Sequence, residues 1–522
     1  MIKPMTLSSP TAAAVHPERA ARAAPVRLWG ADILLGAVLV LLAGTIRWLG
    51  MNRSLWIDEM SSLGFAYNGV RGVISAIIAF DRSPPLYYLT VHVAYFKLGL
   101  SAVGALRWPS ILAGAASVVI VFALARILAG RTAAIVAGAL AMLLPLPVWY
   151  SDEGRMYAMT WMFVLLSFLF LAISVQSERR IWLVGYATAI GLALYADETA
   201  AIALVPQAIL VAWAILRRQQ PQRRWRHIGL AYVGGWIIFV PWLTVLPRQF
   251  AILHGQTFAG YPPALGTALK LALDQLGLTA SYAFHNSFLV PGALAAAMLV
   301  AYAAALVTVL RLGPEYFLFK SIVLCLVLGP PVMAAAFVVE GSYGVLIPRV
   351  TGIESFGLAL MVGGAAGHLM RAIPTRTASA LVGGALVAVL VGGSALSLLV
   401  VETKGSNGEM WPPIAATIAH EAQPGDALIY YPYGVKYIID AYLPADSSWK
   451  RDGTGAWSEP DPAAQTQFLA WMRGHPRTWL VFYAAGGIHM TIQDRMLQAA
   501  GYRLVMGNPA AKMGLLAYVA PP

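Results

Sequence analysis

The chain has 522 residues, 59% of them hydrophobic and only 11% charged, with a mean hydropathy of +0.68. A soluble domain carries about 25% charged residues, so this composition excludes one and reads as a polytopic membrane protein. The formal net charge of +12 is spread over short basic clusters between apolar runs, a pattern that orients membrane helices and argues against a nucleic-acid partner. The one cysteine, Cys325, lies inside an apolar run, so an intramolecular disulfide and a cysteine metal cluster are both excluded.

In chain order, the first 28 residues are rich in Ala, Arg and Pro and contain no apolar core of a signal peptide. Residues 32–51 then read as an uncleaved signal anchor. Further segments able to span fall near 107–128, 132–150, 156–175, 181–197, 198–216, 228–246, 290–310, 316–338, 350–369 and 378–400, about eleven in all. With the N-terminal tail in the cytoplasm, the connections on that side and the tail hold about 17 Lys/Arg against about 3 acidic residues. The opposite loops are close to balanced, as the positive-inside rule requires. The same alternation puts Asp58-Glu59, Asp81, Asp152-Glu153, Asp197-Glu198, Asp274 and Glu340 on the outer face.

Residues 85–99 are too short to span and are interrupted by His92 and Lys97, so they are expected to form a helix lying in the outer interface. Val70, Val73, Ile74, Ile77 and Ile78 follow helical spacing and predict a second amphipathic interfacial helix. The first outer loop, 52–106, would then be two surface helices with Asp58-Glu59 at their start. Carboxylates beside hydrocarbon are costly, which makes this pair a functional candidate. A second long outer loop, 247–287, carries Arg248, His254, Tyr261, Lys270, His285 and Asn286. Beyond residue 400 charge rises and membrane-length runs end. Helix-like and strand-like pieces alternate there, predicting a small α/β domain over 401–522 outside the membrane domain 1–400.

The SLWIDE stretch, then DRSPPLYY, the run Arg107-Trp108-Pro109-Ser110, PVWYSDEGRMYAM at 147–159 and IPR at 347–349 resemble the GT-C superfamily of membrane glycosyltransferases. The likeness is to family 39 and its relatives, the protein O-mannosyltransferases and lipid A aminoarabinose transferases. One position departs from the pattern, because Ser83 stands before the Pro pair where the family commonly has His. The resemblance implies about 11–13 transmembrane helices, interfacial helices in the first outer loop and a periplasmic C-terminal domain. It also implies transfer of a sugar from a polyprenyl-phosphate donor to an acceptor glycan, lipid or protein, with inversion, at the outer face of a bacterial inner membrane.

For the site, the resemblance implies that Asp58 is the general base or the carboxylate that positions the acceptor, with a helix cap as the structural alternative. Glu59 is a second catalytic candidate, or a neighbour that orients a partner or raises the pKa of the base. Arg155 is expected to hold the donor phosphate or else to pair with Asp152 or Glu153, which occupy the same motif as substrate-binding candidates. Arg349 and Arg248 are further phosphate candidates, or cations meeting lipid headgroups. Asp81, Tyr87 and Tyr88 are expected at the substrate, the tyrosines stacking on a sugar or anchoring at the interface. Asp197-Glu198 reads as a cap or an ion pair. No metal site is assigned, although a divalent ion held by His254 and His285 together with an acidic residue is left open. The rival function is a transporter or flippase of lipid-linked sugars, which would keep its polar groups at the bilayer midplane.

Overall fold

The computed structural model describes residues 30–81, 83–249, 265–280, 289–339, 348–372, 376–404, 409–431, 434–443, 450–451, 462–483, 490–511 and 513–521. Helix α1 (Gly30–Leu49) is followed by three short helices, α2 (Ile57–Ala66), α3 (Val70–Phe80) and α4 (Leu86–Phe96). Then come α5 (Ala102–Ala129), α6 (Arg131–Leu143), α7 (Pro145–Asp152), α8 (Tyr157–Gln176), α9 (Ile181–Ala196), α10 (Ala201–Leu216) and α11 (Gln222–Leu243). Among the described residues, the later long helices are Gly292–Leu310, Ile353–Ala372 and Arg376–Lys404.

Each of the eleven expected spans is helical, and among the described residues seven helices are by themselves long and apolar enough to cross, or eight if α6 and α7 form one span bent by 55°. The bend has a local cause, since Leu144 precedes Pro145 and is held extended at ψ 123°. The three segments that fall short each have a physical reason. With 16 residues, α9 is about 24 Å long, less than a hydrocarbon core. The first turns of α11 carry the basic QRRWRH run. The expected span 316–338 divides into Phe317–Val327 and Gly329–Val339, broken at the Gly329-Pro330-Pro331 run.

At the centre lies α5, packed by α1, α4, α6, α8 and Ile353–Ala372. Small residues let these helices approach closely: Gly363 and Gly367 seat against Ala133 and Ala137 of α6, where an added Cβ would meet backbone. The first loop differs from its sequence reading. It holds three helices rather than two, and α4 buries Tyr87, Tyr88 and Val91 instead of lying free on a surface. In α3 only Val73 and Ile77 of the predicted stripe are fully buried, while Val70 remains exposed.

The C-terminal part carries a five-stranded sheet in the order β2-β1-β3-β5-β4, with β1 (Ala427–Tyr431), β2 (Lys450–Arg451), β3 (Arg477–Tyr483), β4 (Arg503–Met506) and β5 (Met513–Val519). Strands β1, β2 and β3 are parallel, and β5 runs antiparallel to β3 and β4. Its side chains alternate as a strand requires. Trp479 and Val481 join the core that runs through the helical bundle, whereas Leu480 and Phe482 enter a second cluster with Phe468, Met472 and Leu497. The sheet is thus seated on the bundle, through Trp411, Ile418 and the helix Val435–Tyr442.

Candidate active site

Five pieces of chain meet at one end of the bundle: the start of α2, the start of α5, the α7–α8 joint, α4 and the short helix Pro348–Thr351. The two adjacent carboxylates of α2 point to different partners. Asp58 is about one-third exposed and its Oδ2 accepts from Arg349 Nη1 at 3.2 Å, where Arg349 is similarly exposed. The Arg349 guanidinium also lies 5.6 Å from the Tyr157 ring centre.

Glu59 is fully buried. Its Oε1 accepts from Arg107 Nε at 2.9 Å and from Gly154 N at 2.6 Å, and its Oε2 accepts from Arg107 Nη2 at 2.9 Å and Trp56 N at 3.1 Å. A carboxylate has about four lone-pair sites, so Glu59 keeps none for a substrate. Gly154 is required for this arrangement, because a Cβ there would stand 2.7 Å from Leu106 and 3.0 Å from Glu59 Oε1. Arg107 is equally saturated: Nη1 donates to the carbonyls of Met51 and Arg53, and Nη2 also donates to that of Ser54.

Arg155 pairs with neither Asp152 nor Glu153. Its Nη1 donates to the Asp58 carbonyl at 3.1 Å, to Ser62 Oγ at 3.0 Å and to Tyr88 Oη at 3.4 Å, while its Nε is buried with no partner among the described residues. Tyr88 in turn donates to Asp81, and Tyr87 donates to the Leu106 carbonyl at 2.6 Å. Both tyrosine rings are fully buried, so neither presents an open face for a sugar to stack on. Asp152 turns away from Asp58 into a separate buried network: Arg53 bridges it at 3.1 Å to Glu402 at 2.6 Å and covers the Trp149 ring at 4.3 Å.

Arg248 is exposed, and no hydrogen bond or ion pair among the described residues ties it to Asp58 or Arg349. Its neighbour Gln249 donates to the Asp81 carbonyl at 3.4 Å. Asp197 caps the turn that follows α9, its Oδ1 accepting from Thr199 N at 2.9 Å. His254, Tyr261, His285, Asn286 and Glu340 lie outside the described residues. Among those described, no group of three His, Cys, Asp or Glu is arranged to hold a metal. The sequence reading missed Arg53, Ser62, Glu402 and Glu409. Only Ser62 had a local signal, four residues beyond Asp58 on the same helix face.

Glu153 Oε1 accepts from Trp149 Nε1 at 2.8 Å, while Oε2 is buried with no partner among the described residues. Burial, reinforced by Glu59 nearby, pushes its carboxyl up to about 8. The folded protein therefore holds a proton there that the unfolded chain gives up at ordinary carboxyl pKa, and stability contributed by this group falls as pH rises from about 5 to about 8. Glu153→Gln keeps the acceptor for Trp149 and abolishes that titration. Its thermal midpoint should exceed that of the wild type most at pH 8 and least at pH 5; parallel profiles would refute the assignment.

Residues 82–245 match the family model described as dolichyl-phosphate-mannose-protein mannosyltransferase, a stretch that includes Arg107 and Arg155. No curated protein matches the chain by sequence. The fold is similar to that of ArnT from Cupriavidus metallidurans in the apo state, at 16% identity and a TM-score of 0.56 over 94% of this chain and 98% of that one. The same ArnT bound to undecaprenyl phosphate gives 14% identity and a TM-score of 0.58 over the same shares. The archaeal oligosaccharyltransferase AglB from Archaeoglobus fulgidus, in complex with an inhibitory peptide and a dolichol-phosphate, gives 11% and 0.52 over 87% of this chain and 69% of that one. The fold is thus that of the GT-C membrane glycosyltransferases, and the resemblance carried by the sequence motifs is borne out.

Proposed function

We propose that this protein moves a hexosyl or pentosyl group from a polyprenyl-phosphate donor to an acceptor glycan, lipid or protein, with inversion, at the periplasmic face of a bacterial inner membrane. The observation that carries the reading is the Asp58–Arg349 pair, the part of the charged cluster left accessible while Glu59 and Arg107 are saturated by each other and by backbone. Asp58 takes the proton of an acceptor hydroxyl as its oxygen attacks the anomeric carbon; for an acceptor that is already a phosphate, it positions that group instead. Arg349, with Arg155 behind it, neutralises the phosphate that leaves with the lipid. Arg248 stands as a further cation on the approach, and Glu153, Asp152, Asp81, Tyr87 and Tyr88 line or brace the site. Glu59 acts by holding α2 rather than by touching substrate.

The N-terminus lies in the cytoplasm in this reading, with residues 1–400 as the membrane domain and 401–522 as a periplasmic domain. The basic end of the bundle supports that orientation: Arg126 and Arg131 gather on Asp32, and Arg371 donates to the Ala129 carbonyl, all remote from Asp58 at the opposite end of α5. The lipid phosphates named for the ArnT and AglB structures support the donor class.

The purified protein in sealed proteoliposomes, given the polyprenyl-phosphate-sugar fraction extracted from its host's membranes together with host envelope material, should release free polyprenyl phosphate. Translocation of the donor across the bilayer without that release would favour a flippase. Arg349→Ala should raise the donor KM about ten-fold, the value of one charge-assisted hydrogen bond, with a smaller change in kcat; an unchanged KM would remove Arg349 from the phosphate site.

A further inference from the structure

We propose that Glu409, which follows the last long helix, is a positioning residue that caps α2 and holds Asp58 at Arg349. The inference rests on the reading of Asp58 given above. The backbone N–H groups that open a helix have no carbonyl of their own turn to bond. Three consecutive N–H groups leading into α2 find side chains. Leu55 N donates to Tyr442 Oη at 2.9 Å, Trp56 N to Glu59 Oε2 at 3.1 Å and Ile57 N to Glu409 Oε1 at 3.3 Å. Two of these three acceptors come from more than 350 residues further along the chain.

The need for a distant cap follows from the local sequence. Trp56 occupies the N-cap position, and its indole offers a donor and no acceptor, whereas Ser, Thr, Asp or Asn would have served. Glu409 supplies an oxygen to the first helical N–H, that of Ile57, and its negative charge sits at the positive end of the helix. Its own rotamer is fixed, because Oε2 accepts from Trp411 Nε1 at 2.7 Å and Trp411 N donates to Ser54 Oγ at 3.2 Å. Glu409 is 7% exposed and Trp411 fully buried, so water is a poor substitute for either bond. The same segment grips α2 from the side, with the Tyr437 ring stacked on Tyr67 at 5.5 Å. Asp58 is one peptide beyond the capped Ile57 N–H, so the frame of the first turn, and with it the aim of the Asp58 carboxylate, depends on Glu409. The C-terminal segment thereby becomes part of the transfer machinery.

The test uses the full-length protein and two readouts. Hydrogen exchange followed by mass spectrometry over residues 54–67 needs no substrate: Glu409→Ala should speed exchange about ten-fold, and Glu409→Gln, which keeps the carbonyl for Ile57 N–H, should restore most of the protection. With the extracted polyprenyl-phosphate-sugar fraction as donor, Glu409→Ala should lower kcat about ten-fold and leave the donor KM unchanged, and Glu409→Gln should recover kcat. In an Asp58→Asn background, Glu409→Ala should cost nothing further, since the residue acts through Asp58. Trp411→Phe, which removes only the donor that fixes Glu409, should shift both readouts in the same direction by about three-fold and serves if Glu409→Ala does not fold. Exchange and kcat at wild-type levels in Glu409→Ala, or an equal loss in the Asp58→Asn background, would overturn the proposal. If the wild type releases no polyprenyl phosphate, the glycosyltransfer reading fails and the exchange comparison alone decides whether Glu409 caps α2.

Discussion

Asp58→Asn is expected to lower kcat by about 10²–10⁴-fold while the protein still inserts and folds. The amide keeps an oxygen that can accept from Arg349, so local geometry survives, but it can neither take a proton nor offset positive charge developing on the sugar. Asp58 is one-third exposed and its carboxylate bonds no backbone group among the described residues, so stability should change by no more than a surface substitution changes it, about 0.5 kcal/mol. Releasing Arg349 from its ion pair should leave the donor KM unchanged or slightly lower. Initial rates of polyprenyl phosphate release, measured against donor concentration for both proteins, check both statements. Full activity in a correctly folded Asp58→Asn protein would remove the residue from the mechanism and leave it as a partner of Arg349 alone.

The motifs made some of this site legible before any coordinates. Asp58, Arg155 and Arg349 were expected at one face, and α2, the α7–α8 joint and Pro348–Thr351 do bring them together, across almost 300 residues of sequence. Legibility came from cost: charges beside membrane-length apolar runs are rare, and a parity count assigns them a side. What stayed hidden was the direction in which each side chain points. Asp58 and Glu59 are adjacent and read alike, yet successive helical residues diverge by about 100°, which sends one to the accessible Arg349 and the other to the buried Arg107. Asp152 and Arg155 look like a local ion pair, but the turn between them aims Asp152 at Arg53 and Arg155 at Ser62. Glu402 and Glu409 carried no motif at all, because their importance comes from contacts with Arg53 and Ile57 that only the tertiary fold creates. The expected span 316–338 is hidden in a related way: hydropathy sees one apolar run there but not the break at Gly329 that divides it.

Arg107→Lys is expected to cost more stability than any other change at this end of the bundle, although it preserves the charge. The guanidinium makes five hydrogen bonds, two to Glu59 and three to the carbonyls of Met51, Arg53 and Ser54. An ammonium has three donors in a different geometry, so at least two buried acceptors lose their partner and Glu59 loses its bidentate contact. Breaking a buried pair in this way costs about 3–5 kcal/mol. The loss should appear as a large fall in the thermal midpoint in detergent and as lost transfer, because the peptide 51–54 and the first turn of α2 are strung on this one side chain. Glu59→Gln should cost less, since the amide oxygen can still accept from Gly154 or Trp56 while Arg107 retains its three carbonyls. The double variant Glu59→Gln with Arg107→Met should be less destabilised than the sum of the two single changes, because removing the cation also removes the penalty of leaving it unpaired. Additive losses would mean that the two side chains brace the loop independently, and a near-wild-type Arg107→Lys would mean that charge alone, without the five-bond geometry, holds the base of the site in place.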